Sequence, residues 1–436
     1  MKTKIILALL TFLIFNGCKG SIPIKGYWTG SMEMNGKTVD ISVNIEPEYS
    51  SFSSKDLMLL REPISNLKTK NEEISFSVVL DVEMLFEGAL DNDKISGNVK
   101  MQGGPPNMKI GFNLVKKSDS IPANSYSIEK VNVKSDDVTL SAEIYKPNTN
   151  KLHPALILLH GATTNLKSQY TFYADFFANL GFEVLIFDKR GNGKSTGNYA
   201  TAKYSDLVND AIACIEKMKS RESIDKEKIG LWGHSQGASL IPLIITKSDV
   251  PKFLIAKSPE VISISEAAAF SDSIRIVNSG NSSSNGSIAA ESHRQVEKMI
   301  RDGKDYKEIE NYINQNASNY NFMNQTGLYE NISINKNEFE GYYWKGRIEN
   351  FYPYWEKINI PTLVLFGEDD EYINALKNEA VLKSLNNKKI ETKLFPRSNH
   401  NLKKSFNPIK YPDFDWPRVT DGYLNFVEKW LEVKIK

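Results

Sequence analysis

The chain has 436 residues, of which 41% are hydrophobic and 25% are charged, and its formal net charge is +1 at pH 7. A chain of this length normally folds as two domains with a sizeable apolar core. Because the charge is nearly balanced, no basic field is available to attract nucleic acid, and a nucleic-acid partner is excluded.

Residues 1–18 have the composition of an export signal. Met1–Lys4 is basic, and Ile5–Phe15 is an almost unbroken apolar run. Because a permanent membrane helix needs about 20 apolar residues, this run is too short to stay in a bilayer. A small residue, Gly17, precedes Cys18 as in a bacterial lipobox, so lipidation of Cys18 and a lipid anchor in the bacterial envelope, on its periplasmic or cell-surface face, are expected. Simple cleavage with a free Cys18 is the alternative.

The cysteine content excludes an intramolecular disulfide if Cys18 carries lipid, because only Cys214 then remains. Cys214 lies in Ala211–Met218, on the predicted packed face of a helix. A buried structural thiol is therefore expected there. No neighbouring polar residues indicate a catalytic cysteine.

Residues 24–117 alternate apolar and polar side chains, which is typical of half-buried β-strands. Clear examples are Ile41–Ile45 and Ile110–Leu114, and turn residues such as Asn35-Gly36 separate the runs. The pattern predicts a small all-β domain, either a barrel or a sandwich. The polar segment 118–127 is the predicted linker.

From residue 128 to 436 apolar strands alternate with helical segments, which predicts a mostly parallel sheet with helices on both faces. Ala155–Leu159 and Val184–Phe187 are predicted buried strands, and Tyr204–Lys219 has helical spacing. The last segment, from about residue 419 to 433, is predicted to be helical. The class of this second domain is therefore α/β.

The segment 229–239 predicts a nucleophile. A short apolar run leads into Gly233-His234-Ser235-Gln236-Gly237, and a helix-compatible run, Ala238–Thr246, follows. A Gly-x-Ser-x-Gly sequence between a strand and a helix is the context that exposes a serine hydroxyl at a sharp turn. Glycines on either side allow the strand and helix backbones to lie close together. An ordinary turn with a serine N-cap is the alternative.

Residues 259–350 interrupt the predicted sheet between two strands and are expected to form a lid. Glu291–Ile313 is predicted to be helical and Asn278–Gly286 to be a flexible loop. Aromatic residues cluster beyond residue 320, including Tyr342, Tyr343 and Trp344. Some of them are expected to line an apolar acyl or alcohol pocket.

The second domain resembles the α/β-hydrolase family. His160-Gly161 ends the strand that precedes the oxyanion loop in that family, and 188–195, Asp-Lys-Arg-Gly-Asn-Gly-Lys-Ser, resembles its Asp-x-Arg-Gly-x-Gly-x-Ser turn. With its amino-terminal β module, the chain is most similar to bacterial EstD-type esterases. The resemblance implies an α/β-hydrolase fold with a helical lid and a serine hydrolase that acts on a small acyl ester.

The resemblance also implies the order serine, acid, histidine along the chain. Only His293 and His400 follow Ser235. His400 comes directly after the last predicted strand, whereas His293 lies in a charged helical stretch and is expected at the surface. The acid is expected just after the predicted strand Thr362–Phe366, where Asp370 matches the family's Gly-x-x-Asp-x-x-Val pattern and Asp369 is the second choice.

These residues predict a mechanism of acyl transfer. His400 removes the proton of Ser235, and Asp370 fixes the His400 ring and stabilises the imidazolium. The backbone N–H groups of Gln236 and Ala162 are expected to form the oxyanion hole. No metal or cofactor is expected, since the other histidines lack ligand spacing.

Three functions are compatible with this sequence. The first is a carboxylesterase; the second keeps the triad but acts as a peptidase, thioesterase or acyltransferase. The third is a non-catalytic surface lipoprotein that binds glycan or peptide on a hydrolase fold. Because Ser235, Asp370 and His400 are all present in the expected order, the first function is favoured over the third. The sequence gives no indication of the oligomeric state.

Overall fold

The structure, a computed structural model, divides into two compact units. One comprises Met1–Ser53 with Arg61–Pro122, and the other comprises Ser54–Leu60 with Ala123–Lys436. Cys18 and the aromatic residues Tyr342, Tyr343 and Trp344 lie outside the described residues. No helix in the described part of the chain is long and apolar enough to cross a membrane. The structure describes residues 24–34, 36–70, 72–79, 83–103, 109–163, 165–332, 350–405, 410 and 418–435.

The first unit is a closed antiparallel barrel of eight strands, in which the first strand pairs with both the second and the eighth. The predicted alternation places Ile41, Val43 and Ile45 inside. Phe86 stacks on Phe76 with the ring centroids 4.6 Å apart, so side chains fill the barrel interior. Of the two architectures predicted, the barrel is the one found. The strands are β1 Gly26–Met34, β2 Lys37–Ile45, β3 Ser51–Ser54, β4 Leu59–Lys70, β5 Glu73–Val79, β6 Glu83–Asp91, β7 Lys94–Met101 and β8 Ile110–Ser118.

The connection between the units is shorter than the segment 118–127. Ser118 still pairs with Tyr27 in the barrel. Tyr126 already pairs with Pro147 in the sheet of the second unit. Backbone pairing therefore leaves residues 119–125 as the connection.

The second unit contains an eight-stranded sheet with the order β9-β10-β12-β11-β13-β14-β15-β16. Neighbours β9/β10 and β10/β12 are antiparallel, and the other neighbours are parallel. The central strands are continuous apolar runs because both of their faces are covered. The strands are β9 Tyr126–Ser135, β10 Val138–Pro147, β11 His153–Leu159, β12 Glu183–Phe187, β13 Ile224–His234, β14 Phe253–Lys257, β15 Thr362–Gly367 and β16 Ile390–Phe395.

Helices cover the two faces of this sheet with separate apolar clusters. Alternate residues of β11 divide between them, since Ile157 faces one cluster and Leu156 the other. Ile215 and Leu240 contribute to the first cluster, and Trp430 contributes to the second. The predicted α/β-hydrolase fold is confirmed. The helices are α1 Thr171–Asn179, α2 Tyr204–Lys219, α3 Gln236–Ile245, α4 Ile264–Asn278, α5 Ser283–Arg301, α6 Tyr306–Asn319, α7 Gly327–Ile332, α8 Tyr352–Trp355, α9 Ala375–Ser384 and α10 Tyr423–Lys434, with 3₁₀ turns at Lys167–Tyr170 and Asn321–Gln325.

The insertion between β14 and β15 is helical, but the loop predicted within it is too long. Asn278–Gly286 is not a flexible loop, because α4 continues to Asn278 and α5 begins at Ser283. The Ser282 side chain accepts a hydrogen bond from Asn285 N–H at 3.2 Å and caps α5. A serine-rich run that looked like a linker is therefore a helix start.

The expectation that His293 lies at the surface is also wrong. Its side chain is buried between α4 and α5, and its Nδ1 lies 3.1 Å from Asp272 Oδ2. Asp272 also accepts hydrogen bonds from the N–H groups of Gly327 and Leu328, at 2.7 and 3.3 Å. His293 thus belongs to a polar cluster that joins the lid helices.

The turn after β12 is tied to α2 by a buried ion pair. Arg190 Nε and Nη2 donate to Asp210 Oδ2 and Oδ1 at 2.7 and 2.8 Å.

Replacing Arg190 with Met leaves the Asp210 carboxylate buried without its partner. We expect R190M to lower the free energy of unfolding by about 3–5 kcal/mol, measured by urea denaturation. In the control K298M, which removes the exposed pair with Asp302, we expect a change within about 1 kcal/mol. Equal losses in both variants would contradict this account.

Candidate active site

Ser235 lies at a strained turn between β13 and α3. Its φ of 53° and ψ of −119° fall in a region that non-glycine residues rarely occupy. The Ser235 N–H donates to the Lys257 carbonyl at 2.9 Å, and the Ser235 carbonyl accepts from Ser239 N–H at 2.9 Å and Ser239 Oγ at 3.1 Å. Hydrogen bonds on both sides therefore hold the turn that exposes the side chain.

Two glycines make this turn possible, as the sequence predicts. A Cβ on Gly233 would lie 2.7 Å from Ala238 N, on the helix. A Cβ on Gly237 would lie 2.6 Å from the carbonyl oxygens of Leu159 and His160, at the end of β11. The strand, the helix and the loop after β11 are thus in backbone contact beside Ser235.

Asp370 and His400 form a buried pair. His400 Nδ1 donates to Asp370 Oδ2 at 2.6 Å. The other carboxylate oxygen, Oδ1, accepts from the N–H groups of Tyr372 and Ile373 at 2.8 and 3.0 Å. Because Nδ1 carries the proton, His400 Nε2 is left with a lone pair that can accept a proton.

Asp369, the second choice for the acid, points elsewhere. Its carboxylate pairs with Lys410, and its N–H donates to the Ser398 carbonyl at 2.9 Å. The turn that begins at Gly367 nevertheless contacts the loop that carries His400. A Cβ on Gly367 would lie 2.4 Å from the carbonyl oxygens of Ser398 and Asn399. The close contact sets the distance at which Asp370 meets His400.

Ser235 and His400 are anchored to the same dipeptide, Lys257-Ser258. The Lys257 carbonyl accepts from Ser235 N–H, and Ser258 Oγ donates to the His400 carbonyl at 2.8 Å. The rings of His234 and His400 are also neighbours, with centroids 5.2 Å apart. No group among the described residues accepts a hydrogen bond from the Ser235 hydroxyl. Nucleophile–base contacts in uncomplexed hydrolases commonly tighten only with substrate.

The loop after β11 places backbone donors beside Ser235. A Cβ on Gly161 would lie 3.6 Å from Ser235 Cβ. Gly161 N–H donates to the Tyr170 hydroxyl at 3.0 Å, and Thr163 N–H donates to the Tyr199 hydroxyl at 3.1 Å.

Within the described chain, the N–H groups of Ala162 and Gln236 donate to no other residue. These are the two donors that the sequence predicts for an oxyanion hole.

His160 braces this loop as a neutral ring. Its Nε2 donates to the Phe187 carbonyl at 2.5 Å, and its ring packs edge-on against Tyr170 and Phe187. Burial, with a contribution from the charge of Lys189, lowers the pKa of His160 to about 3. His160 therefore stays uncharged at neutral pH and is not placed as a general base.

Two buried lysines near the site were missed by the sequence analysis. Lys189 donates to the Gly161 carbonyl at 2.5 Å and to Gln236 Oε1 at 3.0 Å. Lys257 donates to the Tyr173 hydroxyl at 3.0 Å, and burial, with a contribution from Lys403, lowers its pKa to about 7. Each is a lysine at the end of a buried apolar strand, and that position in the sequence was the available signal.

No group of three or more His, Cys, Asp or Glu residues in the described ranges could hold a metal ion.

Comparison with known protein families matches part of the second unit to a family of hydrolases. The family model Hydrolase_4, described as serine aminopeptidase, S33, matches residues 150–310. This stretch includes Ser235 and the loop after β11, and it ends before Asp370 and His400. The matched range lies within the unit whose strand order is that of an α/β-hydrolase fold.

The chain is similar to several curated proteins over part of its length. It is 26% identical to an uncharacterized 31.7 kDa protein from the traX-finO intergenic region of Escherichia coli over 190 residues, 43% of this chain and 63% of that protein. It is 31% identical to the quorum-quenching protein AidA of Acinetobacter baumannii over 104 residues, 24% of this chain and 34% of that protein. The chain thus spans less than two thirds of the length of these relatives.

Among solved structures, the Pyrococcus furiosus esterase Pf2001 matches with a TM-score of 0.45 and 16% identity, over 72% of this chain and 93% of that one.

The geometry predicts that the two neighbouring aspartates have different effects on the reactivity of Ser235. In D370N the amide no longer holds the His400 tautomer or balances the imidazolium. We expect the rate of Ser235 labelling by a fluorophosphonate to fall by about 10³-fold or more. The matched control D369N weakens the half-exposed pair with Lys410 and leaves the Asp370–His400 hydrogen bond in place, so we expect a change within about twofold. A larger loss in D369N than in D370N would reverse the assignment.

Proposed function

We propose that this chain is a serine carboxylesterase that cleaves small acyl esters through a Ser235–His400–Asp370 triad. The observation that carries the proposal is the buried Asp370–His400 pair, with its 2.6 Å hydrogen bond, at the same sheet edge as the strained Ser235 turn. The nucleophile, the base and the group that orients the base come from three separate loops. Such an arrangement has little structural value unless the three groups act together.

The proposed reaction has two acyl-transfer steps. Ser235 Oγ attacks the ester carbonyl carbon while His400 Nε2 takes the hydroxyl proton, and the carbonyl oxygen becomes an oxyanion. The Ala162 and Gln236 N–H groups donate to that oxygen. Collapse of the intermediate breaks the bond to the alcohol, which leaves with the proton from His400. Water then repeats the sequence on the acyl-enzyme and releases the acid.

The description of the matched family favours one alternative, an aminopeptidase. The same catalytic groups would then attack a peptide carbonyl, and His400 would protonate the leaving amine.

The first test uses a panel of substrates with the form that lacks residues 1–18. We expect hydrolysis of p-nitrophenyl esters of graded acyl length, and a loss of about 10³-fold or more in kcat in S235A. Aminoacyl p-nitroanilides in the same panel test the aminopeptidase. A preference for the anilides would replace the esterase with the peptidase.

A folded protein that neither turns over any panel substrate nor labels with a fluorophosphonate would overturn both enzyme functions. It would support a binding role instead.

We also propose export and lipid anchoring at Cys18. The basic start, the short apolar run and Gly17-Cys18 support this proposal. We expect C18A to move the protein from the membrane fraction to the soluble fraction in a bacterial host, because the lipid-bearing thiol is lost. The fractions are compared by immunoblotting. Unchanged membrane association of C18A would contradict the anchor.

A further inference from the structure

Lys189 is a buried cation with several polar contacts beside Ser235. It follows Asp188, the first residue after β12, and its side chain is 4% exposed. The ammonium donates to the carbonyls of Gly161 at 2.5 Å and Thr163 at 3.2 Å, and to Gln236 Oε1 at 3.0 Å. It also lies 4.1 Å from the centroid of the Tyr199 ring. Burying an ammonium is costly, so this position is stable only because these acceptors surround it.

The contact with Gly161 fixes the orientation of a catalytic donor. In a trans peptide, the carbonyl oxygen and the following N–H point to opposite sides. The Gly161 carbonyl and the Ala162 N–H belong to one peptide, so a hydrogen bond that holds the oxygen toward Lys189 turns the N–H away from it. Asn165 Nδ2 supports the same orientation, with hydrogen bonds to the carbonyls of Gly161 at 3.2 Å and Ala162 at 2.7 Å.

The contact with Gln236 reaches the second donor residue. Gln236 begins α3, and its N–H is the other expected oxyanion donor. The Tyr199 hydroxyl makes a parallel bridge, because it donates to Gln236 Oε1 at 3.2 Å and accepts from Thr163 N–H. One ammonium and one hydroxyl therefore join the loop after β11 to the start of the helix.

We propose that Lys189 is a positioning residue that sets the orientation and spacing of the two oxyanion-hole donors. Its charge has a second effect, because a hydrogen bond from an ammonium to a peptide oxygen polarises the peptide and strengthens its N–H as a donor. Both effects stabilise the tetrahedral intermediate more than the bound ester, since only the intermediate carries a full charge on that oxygen. This inference rests on the proposed serine hydrolase function.

The test compares K189M with wild type in steady-state kinetics and with a tetrahedral-adduct probe. Met has a similar length but no charge and no donor. We expect kcat to fall by about 10–100-fold with KM within about threefold, because removal of a whole donor costs about 10²–10³-fold.

The probe is an alkyl trifluoromethyl ketone. Ser235 Oγ adds to its carbonyl carbon, the carbonyl oxygen becomes the oxyanion, and the proton passes to His400. Its Ki should rise by the same factor as kcat falls.

The matched control is K167M. Lys167 begins the 3₁₀ turn Lys167–Tyr170 and donates to Asp188 Oδ2, next to Lys189, at 2.8 Å and to Ser141 Oγ on β10 at 3.1 Å. Within the described residues, no hydrogen bond joins its side chain to Ala162 or Gln236. We expect its kcat and Ki to stay within about threefold of wild type. If K189M does not fold, K189R takes its place. Arginine keeps the positive charge, but its larger guanidinium group shifts the contacts with the Gly161 carbonyl and Gln236 Oε1. For K189R we expect proportional changes of about 3–10-fold in kcat and Ki.

Three results would overturn the inference. The first is unchanged kcat and Ki in folded K189M or K189R. The second is a loss of kcat without a matching rise in Ki, which would place Lys189 outside the oxyanion hole. The third is an equal loss in K167M, which would assign the effect to the turn as a whole. A folded wild type that neither labels with a fluorophosphonate nor hydrolyses an ester would overturn the proposed function itself, and the inference with it.

Discussion

The backbone contact around Ser235 is the constraint on which the site depends. With Gly233 against the start of α3 and Gly237 against the end of β11, no side chain fits on either side of the serine. The contact forces Ser235 to a φ of 53° and brings the first N–H groups of α3 beside the loop after β11. The strained conformation exposes the Ser235 side chain, and the same approach brings the backbone donors together. The proposed nucleophile and the proposed oxyanion hole are thus two consequences of one packing arrangement.

Burial determines what the surrounding polar groups can do. His160 is held neutral by burial and by the nearby Lys189 charge, so it braces the loop without competing for protons. Asp370 is equally buried, but two backbone N–H groups and His400 satisfy its oxygens. Burial without such donors would be costly for a carboxylate. The three hydrogen bonds therefore hold Asp370 in a fixed position against the His400 ring.

Residues whose roles follow from local sequence were predictable, and residues whose roles depend on distant partners were not. Ser235 is defined by its own pentapeptide. Asp370 and His400 each follow a strand that ends at the same edge of the sheet as β13, which leads into Ser235. In the structure, Asp370 is distinguished from Asp369 by its carboxylate, which accepts a hydrogen bond from the Tyr372 N–H two residues further along the chain. The burial of His293 could not be predicted because its partner Asp272 lies on another helix, while the nearby charged residues Glu291 and Arg294 are exposed. Lys189 was missed because its acceptors come from two separate loops.

The strained backbone of Ser235 and the buried Asp370–His400 pair argue for catalysis over a binding role. A surface lipoprotein that used this fold only to bind glycan or peptide would gain nothing from a serine held at a φ of 53°. A strained non-glycine residue costs about 1–3 kcal/mol, and a buried hydrogen-bonded pair of polar side chains is often no more stable than apolar residues of similar size. In a chain that does not catalyse a reaction, substitutions could remove the strain with glycine at position 235. They could replace the buried polar pair with apolar residues at positions 370 and 400. Their joint presence at one sheet edge is explained by a reaction that needs an exposed hydroxyl and an oriented imidazole.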